Sequence, residues 1–280
     1  MYKIVKKESL NPTVTLMEIE APLVARKAEP GQFIILRADE NGERIPLTIA
    51  DYDRTAGTVT IIFQIVGSGT LRLNQLEKND YIADFLGPLG NASDLDGLRK
   101  VAVIGGGVGC AIAYPIAKKL HQSGAAVHTI VGFRNKDLVI LEDAFRQIST
   151  VMKVMTDDGS AGEKGLVTDA LKALIESGNS YDEVIAIGPL VMMKFITLLT
   201  KQYGIKTVVS MNPIMVDGTG MCGGCRMTVG GKTKFACVDG PEFDAFEVDF
   251  DEAMARNASY HAFERHAYEE TCNLFHKEVQ

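Results

Sequence analysis

Four side chains set the chemistry open to this sequence. Asp217, Cys222, Cys225 and Cys237 stand in the stretch MVDGTGMCGGCRMTVGGKTKFACVDGP with the spacing D-x4-C-x2-C-x11-C. Plant-type [2Fe–2S] sites use C-x4-C-x2-C and a distant fourth cysteine; here that spacing is kept, with a carboxylate in the first place. A cluster edge is an anion that needs close backbone approach and N–H donors to its sulfurs. Gly218, Gly220, Gly223 and Gly224 let a chain wrap it in that way. Zinc is the rival metal, because it also takes C-x2-C with two further ligands, although usually from two paired knuckles. Free buried cysteines without metal are a third reading, opposed by three thiols among so many glycines. An iron–sulfur cluster carries one electron at a time, so its presence predicts electron transfer.

A second group of residues suits a nucleotide. GGGVG, with Gly105, Gly106, Gly107 and Gly109, follows the apolar run KVAVI and precedes a helical stretch. N–H groups and the helix dipole favour a pyrophosphate at such a turn. The strict dinucleotide fingerprint fails, because Cys110 stands where its third glycine belongs and GFRN, not an acid, closes the next strand. A tight turn for helix–sheet packing is the alternative, and Cys110 itself reads as a small buried residue. Two more loops end predicted strands: TDDGS, with Asp157 and Asp158, and GPLVMM, with Gly188, Pro189 and Met192. Open α/β sheets bind ligands at that edge. Two roles stay open for the aspartates, capping the next helix or holding ribose hydroxyls.

These residues need a scaffold, and its pattern changes at Lys100. Before it, short alternating runs such as TVTLMEIEAP and GTVTIIFQIVG, with turns at Pro30-Gly31 and Asn41-Gly42, predict a small antiparallel barrel without helices. After it, strands alternate with helices, which predicts a doubly wound parallel sheet of about five strands. The expected fold is therefore β plus α/β, with an N-terminal β-barrel at 1–98 and a nucleotide-binding domain at 99–210. The cluster segment occupies 211–250 and a helical tail 251–280. At 280 residues the chain has room for this, and its formal charge of −7 argues against a nucleic-acid surface. No apolar run is long enough to span a membrane, and MYKIVKKESL lacks the apolar block of a secretory signal. Clustered cysteines suit ligands in a reducing compartment, hence a cytoplasmic location.

With these motifs assembled, the chain resembles the ferredoxin reductase-like electron-transfer subunits that include the small subunit of dihydroorotate dehydrogenase B. The likeness covers about 1–250 and rests on PGQF, RIPLTIAD, VGSGT, GPLGN, GGGVG, TDDGSAGEKG, GPLVMM and DGTGMCGGC. It implies FAD on the barrel, with Pro46, Leu47 and Thr48 along the flavin and Gly67, Gly69 and Thr70 at its pyrophosphate. The family's arginine is matched by Ile45, with Arg44 beside it for the phosphates. Gly69 is expected at a positive φ, where a β-branched residue would be excluded. The likeness further implies NADH as hydride donor, with Asp157 and Asp158 set against a 2′-phosphate and Arg134 the one residue in favour of it. It also implies a larger flavin/iron–sulfur partner that reaches ferredoxin and bifurcates electrons. Asp217 in place of a cysteine resembles the NADH-dependent ferredoxin:NADP+ branch more than the dihydroorotate branch, which stays the alternative. A zinc-stabilised nucleotide-binding module is the alternative from another class. Hydride transfer needs no acid–base residue, and no catalytic side chain is assigned.

The tail carries Tyr260, Phe263, Tyr268 and Phe275 at spacings that share a helical stripe, which suits a docking element. Its removal from 253 on is expected to spare flavin and cluster. Cys272, His261, His266 and His276 in the same stretch read as a solvated helix more readily than as a metal site.

Overall fold

The computed structural model describes residues 1–278, and the side chains of 1–272. The barrel comprises β1 (Tyr2–Asn11), β2 (Val14–Glu20), β3 (Phe33–Arg37), β4 (Ile45–Asp53), β5 (Thr58–Gln64), β6 (Tyr81–Ile82) and β7 (Asp84–Leu89), in the order β6-β1-β2-β5-β4-β3-β7. All its pairings are antiparallel. β6 and β7 are one bent segment broken at Ala83; it pairs with β1 on one side and β3 on the other, which closes the sheet. Strand alternation then divides β4. Ile45, Leu47 and Ile49 face the barrel core, beside Met17, Ile19 and Phe63. Pro46, Thr48 and Ala50 face outward.

Two helices interrupt the expected all-strand region: α1 (Pro22–Ala25) and α2 (Ser68–Gln75). The glycines of VGSGT suggest a turn, but the segment starts a helix. The Thr70 hydroxyl accepts from the Val66 and Gly67 N–H groups at 3.0 and 3.1 Å, and Leu73 is buried one turn on. Gly69 is thus helical rather than at positive φ. A Cβ there would meet the Glu43 carboxylate, the end of an exposed side chain that can move aside.

The second domain alternates β8 (Lys100–Gly106), α3 (Cys110–Gln122), β9 (Ala126–Phe133), α4 (Glu142–Ile148), β10 (Val151–Thr156), β11 (Glu163–Lys164), α5 (Val167–Glu176), β12 (Glu183–Ile187), α6 (Leu190–Tyr203) and β13 (Thr207–Ser210). Central strands buried on both faces read as continuous apolar runs. In β8, Ala102 and Ile104 join Ala170, Leu171, Met193 and Ile196 of α5 and α6, while Val101 and Val103 join Ala113, Ile116 and Phe145 of α3 and α4. Helices thus cover both faces, as expected of a doubly wound sheet.

The cluster segment supplies β14 (Arg226–Val229), β15 (Lys232–Phe235), α7 (Ala236–Asp239) and β16 (Glu242–Asp244). β16 pairs antiparallel with β13, so the segment is continuous with the nucleotide sheet rather than a free appendage. α8 (Phe250–Ala258) belongs to the same body. Asp249 accepts from the Glu252 N–H at 2.9 Å as its N-cap, and Phe250 and Ala253 are buried. The residues from 253 on are not all a free tail, since Arg256 of α8 donates to the Gly224 carbonyl in the cluster loop at 3.4 Å. Only α9 (His261–Glu278) is a tail, and it lies on α2 with Thr271 buried. Tyr260 and Phe263 remain exposed, and His266 meets Glu270 at 3.3 Å on the open face. The Phe275 and His276 side chains lie outside the described residues.

Candidate functional site

The strand order β11-β10-β9-β8-β12-β13-β16 reverses its chain direction between β8 and β12. Ligands of open α/β sheets bind outside the carboxyl ends of the strands at that point, and a cleft of about 1090 Å³ opens there. Gly106, Gly107 and Gly109 line it after β8, and Gly188, Pro189 and Met192 after β12. Asn11, Thr13, Val14 and Gln64 of the barrel rim line it too. Drug-sized ligand pockets run to roughly 300–1,000 Å³, so this one has room for a dinucleotide.

The five-residue glycine turn divides between packing and the cleft. Gly105 lies beneath the cleft, packed on Cys110, whose thiol is buried and pushed up by that burial. At Gly109 a Cβ would stand 2.5 Å from the Ile187 carbonyl oxygen and 2.8 Å from Gly188 Cα, so α3 and β12 approach through this glycine. Gly106 and Gly107 remain to face a ligand. The two aspartates also separate. Asp157 lines the cleft, as does Arg134. Asp158 accepts from the Ser160 N–H at 2.9 Å and hydroxyl at 2.6 Å, which holds its carboxyl below the usual range and closes the turn. Gly165 to Asp169, Lys172 and Gln64 also line the cleft, and sequence reasoning passed over them. For α5 the TDDGSAGEKG motif was the available signal; for Gln64 there was none.

The barrel presents its outer face to both neighbours. Ala50 of β4 packs with α3 in one hydrophobic cluster, and Lys118 of α3 clasps Asp51 at 2.6 and 2.9 Å. Phe33 and Ile35 of β3 pack with Met215, Cys225 and Cys237 in another. Pro46 and Thr48 lie between these contacts, paired with Ile35 and Phe33. Leu47 points into the barrel, so only its backbone belongs to this face. At the start of α2 the N–H groups of Gly69 and Thr70 are donors of the kind that take a pyrophosphate, whereas that of Gly67 already binds the Thr70 hydroxyl.

Asp217, Cys222, Cys225 and Cys237 arrive as two pairs. Cys225 and Cys237 are buried, with the Cys237 N–H donating to Cys225 Sγ at 3.4 Å. Burial, with Cys225 beside it, pushes the Cys237 thiol up to about 12. Cys222 is exposed next to Asp217, and backbone N–H groups, Gly224 first and Asp217 next, lower its pKa. The Asp217 Oδ2 accepts from the Thr219 hydroxyl, from the Thr219 N–H at 2.9 Å and from the Met221 N–H at 3.2 Å, which lowers its pKa. Among the described residues no three His, Cys, Asp or Glu side chains converge as a single-ion site. A two-iron cluster needs a pair at each iron, and the donor set fits it: four hard-to-soft ligands, N–H donors aimed at sulfur, and a buried dithiol whose ionised form wants a cation. Gly218 lets the loop reach the barrel, since its φ is +81° and a Cβ would strike Ile35 Cδ1. Arg44 is exposed and spends its donors on this loop: Nε to the Val216 carbonyl at 2.9 Å and a terminal nitrogen to the Asp217 carbonyl at 3.2 Å.

Comparison with known proteins gives the same picture. Residues 212–249 match the family model described as the iron–sulfur cluster binding domain of dihydroorotate dehydrogenase B. A Thermotoga maritima homologue of the dihydroorotate dehydrogenase B (NAD(+)) electron transfer subunit is 48% identical over 96% of this chain and 95% of its own. The Fusobacterium nucleatum subsp. nucleatum dihydroorotate dehydrogenase B (NAD(+)) electron transfer subunit is 34% identical over 84% and 92%. A solved chain, from the structure of an NADH-dependent reduced ferredoxin–NADP oxidoreductase described in terms of flavin-based electron bifurcation, superposes with a TM-score of 0.91. It is 47% identical and covers 96% of this chain and 97% of its own.

Proposed function

Because the chain belongs to the family of dihydroorotate dehydrogenase B electron-transfer subunits, we propose that it exchanges hydride with NAD(H) and single electrons with a larger flavin/iron–sulfur subunit. FAD and a [2Fe–2S] cluster are its cofactors; bound FAD supplies the step between a two-electron hydride and single electrons. The observation that carries this reading is the shared cleft: the glycine turn after β8 and the Met192 loop of one domain open onto Asn11, Thr13, Val14 and Gln64 at the rim of the barrel.

In this reading Gly106–Gly109 take the dinucleotide pyrophosphate, and Gly188, Pro189 and Met192 set the nicotinamide. Pro46, Thr48 and the start of α2 hold the flavin, and the Lys118–Asp51 clasp fixes its strand against α3. Asp217 and Cys222 would hold one iron and Cys225 and Cys237 the other. Met221, 87% exposed beside Cys222, marks the face where the larger subunit takes or gives electrons. Asp217 favours an assembly like the NADH-dependent reduced ferredoxin–NADP oxidoreductase, with ferredoxin reached only through the larger subunit. The reducing cytoplasm suits its thiolates; among the described residues no helix is long and apolar enough to cross a membrane.

Cofactor analysis with identification of the co-purifying partner tests it. The expected result is about two irons and two sulfides per chain, one FAD, bleaching by NADH, and a larger flavin/iron–sulfur subunit. One zinc without sulfide in a colourless protein refutes it. A dihydroorotate-oxidising partner would move the chain to the other branch.

A further inference from the structure

We propose that Arg44 is a positioning residue for electron transfer, tying the flavin strand to the exposed half of the cluster and favouring the reduced cluster. The inference rests on the cluster and flavin assignments above and goes beyond them, because sequence likeness suggested the flavin phosphates for this side chain. Arg44 directly precedes the segment Ile45–Thr48, at the start of β4. Its Nε donates to the carbonyl oxygen of Val216 at 2.9 Å and a terminal nitrogen to that of Asp217 at 3.2 Å. Two donors of one planar fork thus span two successive carbonyls, a geometry that a single ammonium cannot reproduce.

The first of these carbonyls belongs to the peptide unit whose N–H is that of Asp217. The Cys222 sulfur accepts from the Gly224 N–H at 3.4 Å and has the Asp217 N–H as a neighbour, and both hold its pKa down. Arg44 thus polarises the peptide unit between Val216 and Asp217, whose N–H neighbours the Cys222 sulfur. A donor strengthened in this way stabilises negative charge on the sulfur. A bound cluster that took up one electron would gain negative charge with no proton required, and the N–H groups that Arg44 polarises would offset that charge at the Cys222 sulfur. The guanidinium stands on the side of the half that is exposed, where fewer protein groups compensate it. Both carbonyls also lie in the loop that carries Asp217, so the same contacts fix how far this ligand stands from the flavin strand.

The test uses the holoprotein with Arg44→Gln and Arg44→Lys, comparing the cluster midpoint potential by EPR-monitored titration, amide exchange over 216–221, and FAD content. Arg44→Gln is expected to lower the potential and to speed exchange in the loop. Arg44→Lys is expected to restore most of the potential, through its charge, without restoring the exchange protection. If both variants keep the wild-type potential and exchange while FAD is lost, Arg44 serves the flavin phosphates and the proposal is overturned. A wild-type chain that binds no cluster fails the family reading itself, and this inference with it. Exchange in the apoprotein separates a folding defect from the effect proposed, because a misfolded variant loses protection throughout and not in 216–221 alone.

Discussion

Gly218→Ala should loosen the cluster loop by an amount that a second substitution can partly reverse. Gly218 holds φ at +81°, and an L-residue in that region costs roughly 1–2 kcal/mol. The added Cβ also strikes Ile35 Cδ1, with Leu89 Cδ1 at 3.1 Å and Ile35 Cγ1 at 3.3 Å close behind. Ile35 is 2% exposed and cannot swing aside, so overpacking adds about 1–3 kcal/mol. The total of ~2–5 kcal/mol raises the population of the open loop by roughly 30- to several-thousand-fold, at tenfold per 1.4 kcal/mol. Ile35→Val removes Cδ1 at a cost of about 0.5–1.5 kcal/mol on its own. In the double variant the clash is largely gone while the φ cost and the Leu89 contact stay. The measurement is the rate at which a chelator bleaches the visible absorbance, for all four members of the cycle at one temperature. With the cost of Ile35→Val alone divided out, the double variant should bleach about 5- to 150-fold more slowly than two independent effects would give, the clash energy converted. Additive effects of the two substitutions would refute the contact with Ile35 as the cause.

Gly109→Ala places a Cβ against the Ile187 carbonyl and Gly188 Cα, which are backbone and cannot yield. NADH affinity should fall about tenfold or more for the ~1–3 kcal/mol of forced separation, with FAD and iron content retained; titration of flavin bleaching reads it. NADH should reduce the flavin faster than NADPH in stopped flow, because Asp157 lines the cleft, and a clear preference for NADPH would shift the role to Arg134. Truncation after Ser259 should keep the cluster and lose the larger subunit, since it removes α9 but spares the Arg256–Gly224 contact. Truncation after Asp249 should lose the cluster as well, and iron content with size-exclusion of the mixed subunits distinguishes the two.

What the sequence made legible is what depends on neighbours in the chain. The four proposed cluster ligands lie close together in the chain, and the glycines that separate them record in sequence the backbone angles that the loop needs. The doubly wound sheet was equally open, because each buried strand announces itself as an apolar run and each helix by its period. The barrel helix α2 was hidden, since Gly67 and Gly69 read as a turn and only Thr70 as a cap and Leu73 one turn later speak for a helix. The closure of the barrel was hidden for another reason: β6 is two residues long, too short for any alternation to show.

Arg44 is the strongest case, because its partners lie 172 and 173 residues away. Beside RIPLT a basic residue invites a phosphate, and nothing local says otherwise. The choice is made by the loop, whose carbonyls must turn away from the sulfurs if its N–H groups are to turn toward them. A loop that aims its donors at an anion leaves its acceptors on the outside, and exposed acceptors next to a second strand attract whatever donor that strand carries. The bond from Arg44 thus follows from the cluster cradle itself. A chain that kept the cradle and lacked the arginine would need another donor, or water, at the Val216 and Asp217 carbonyls.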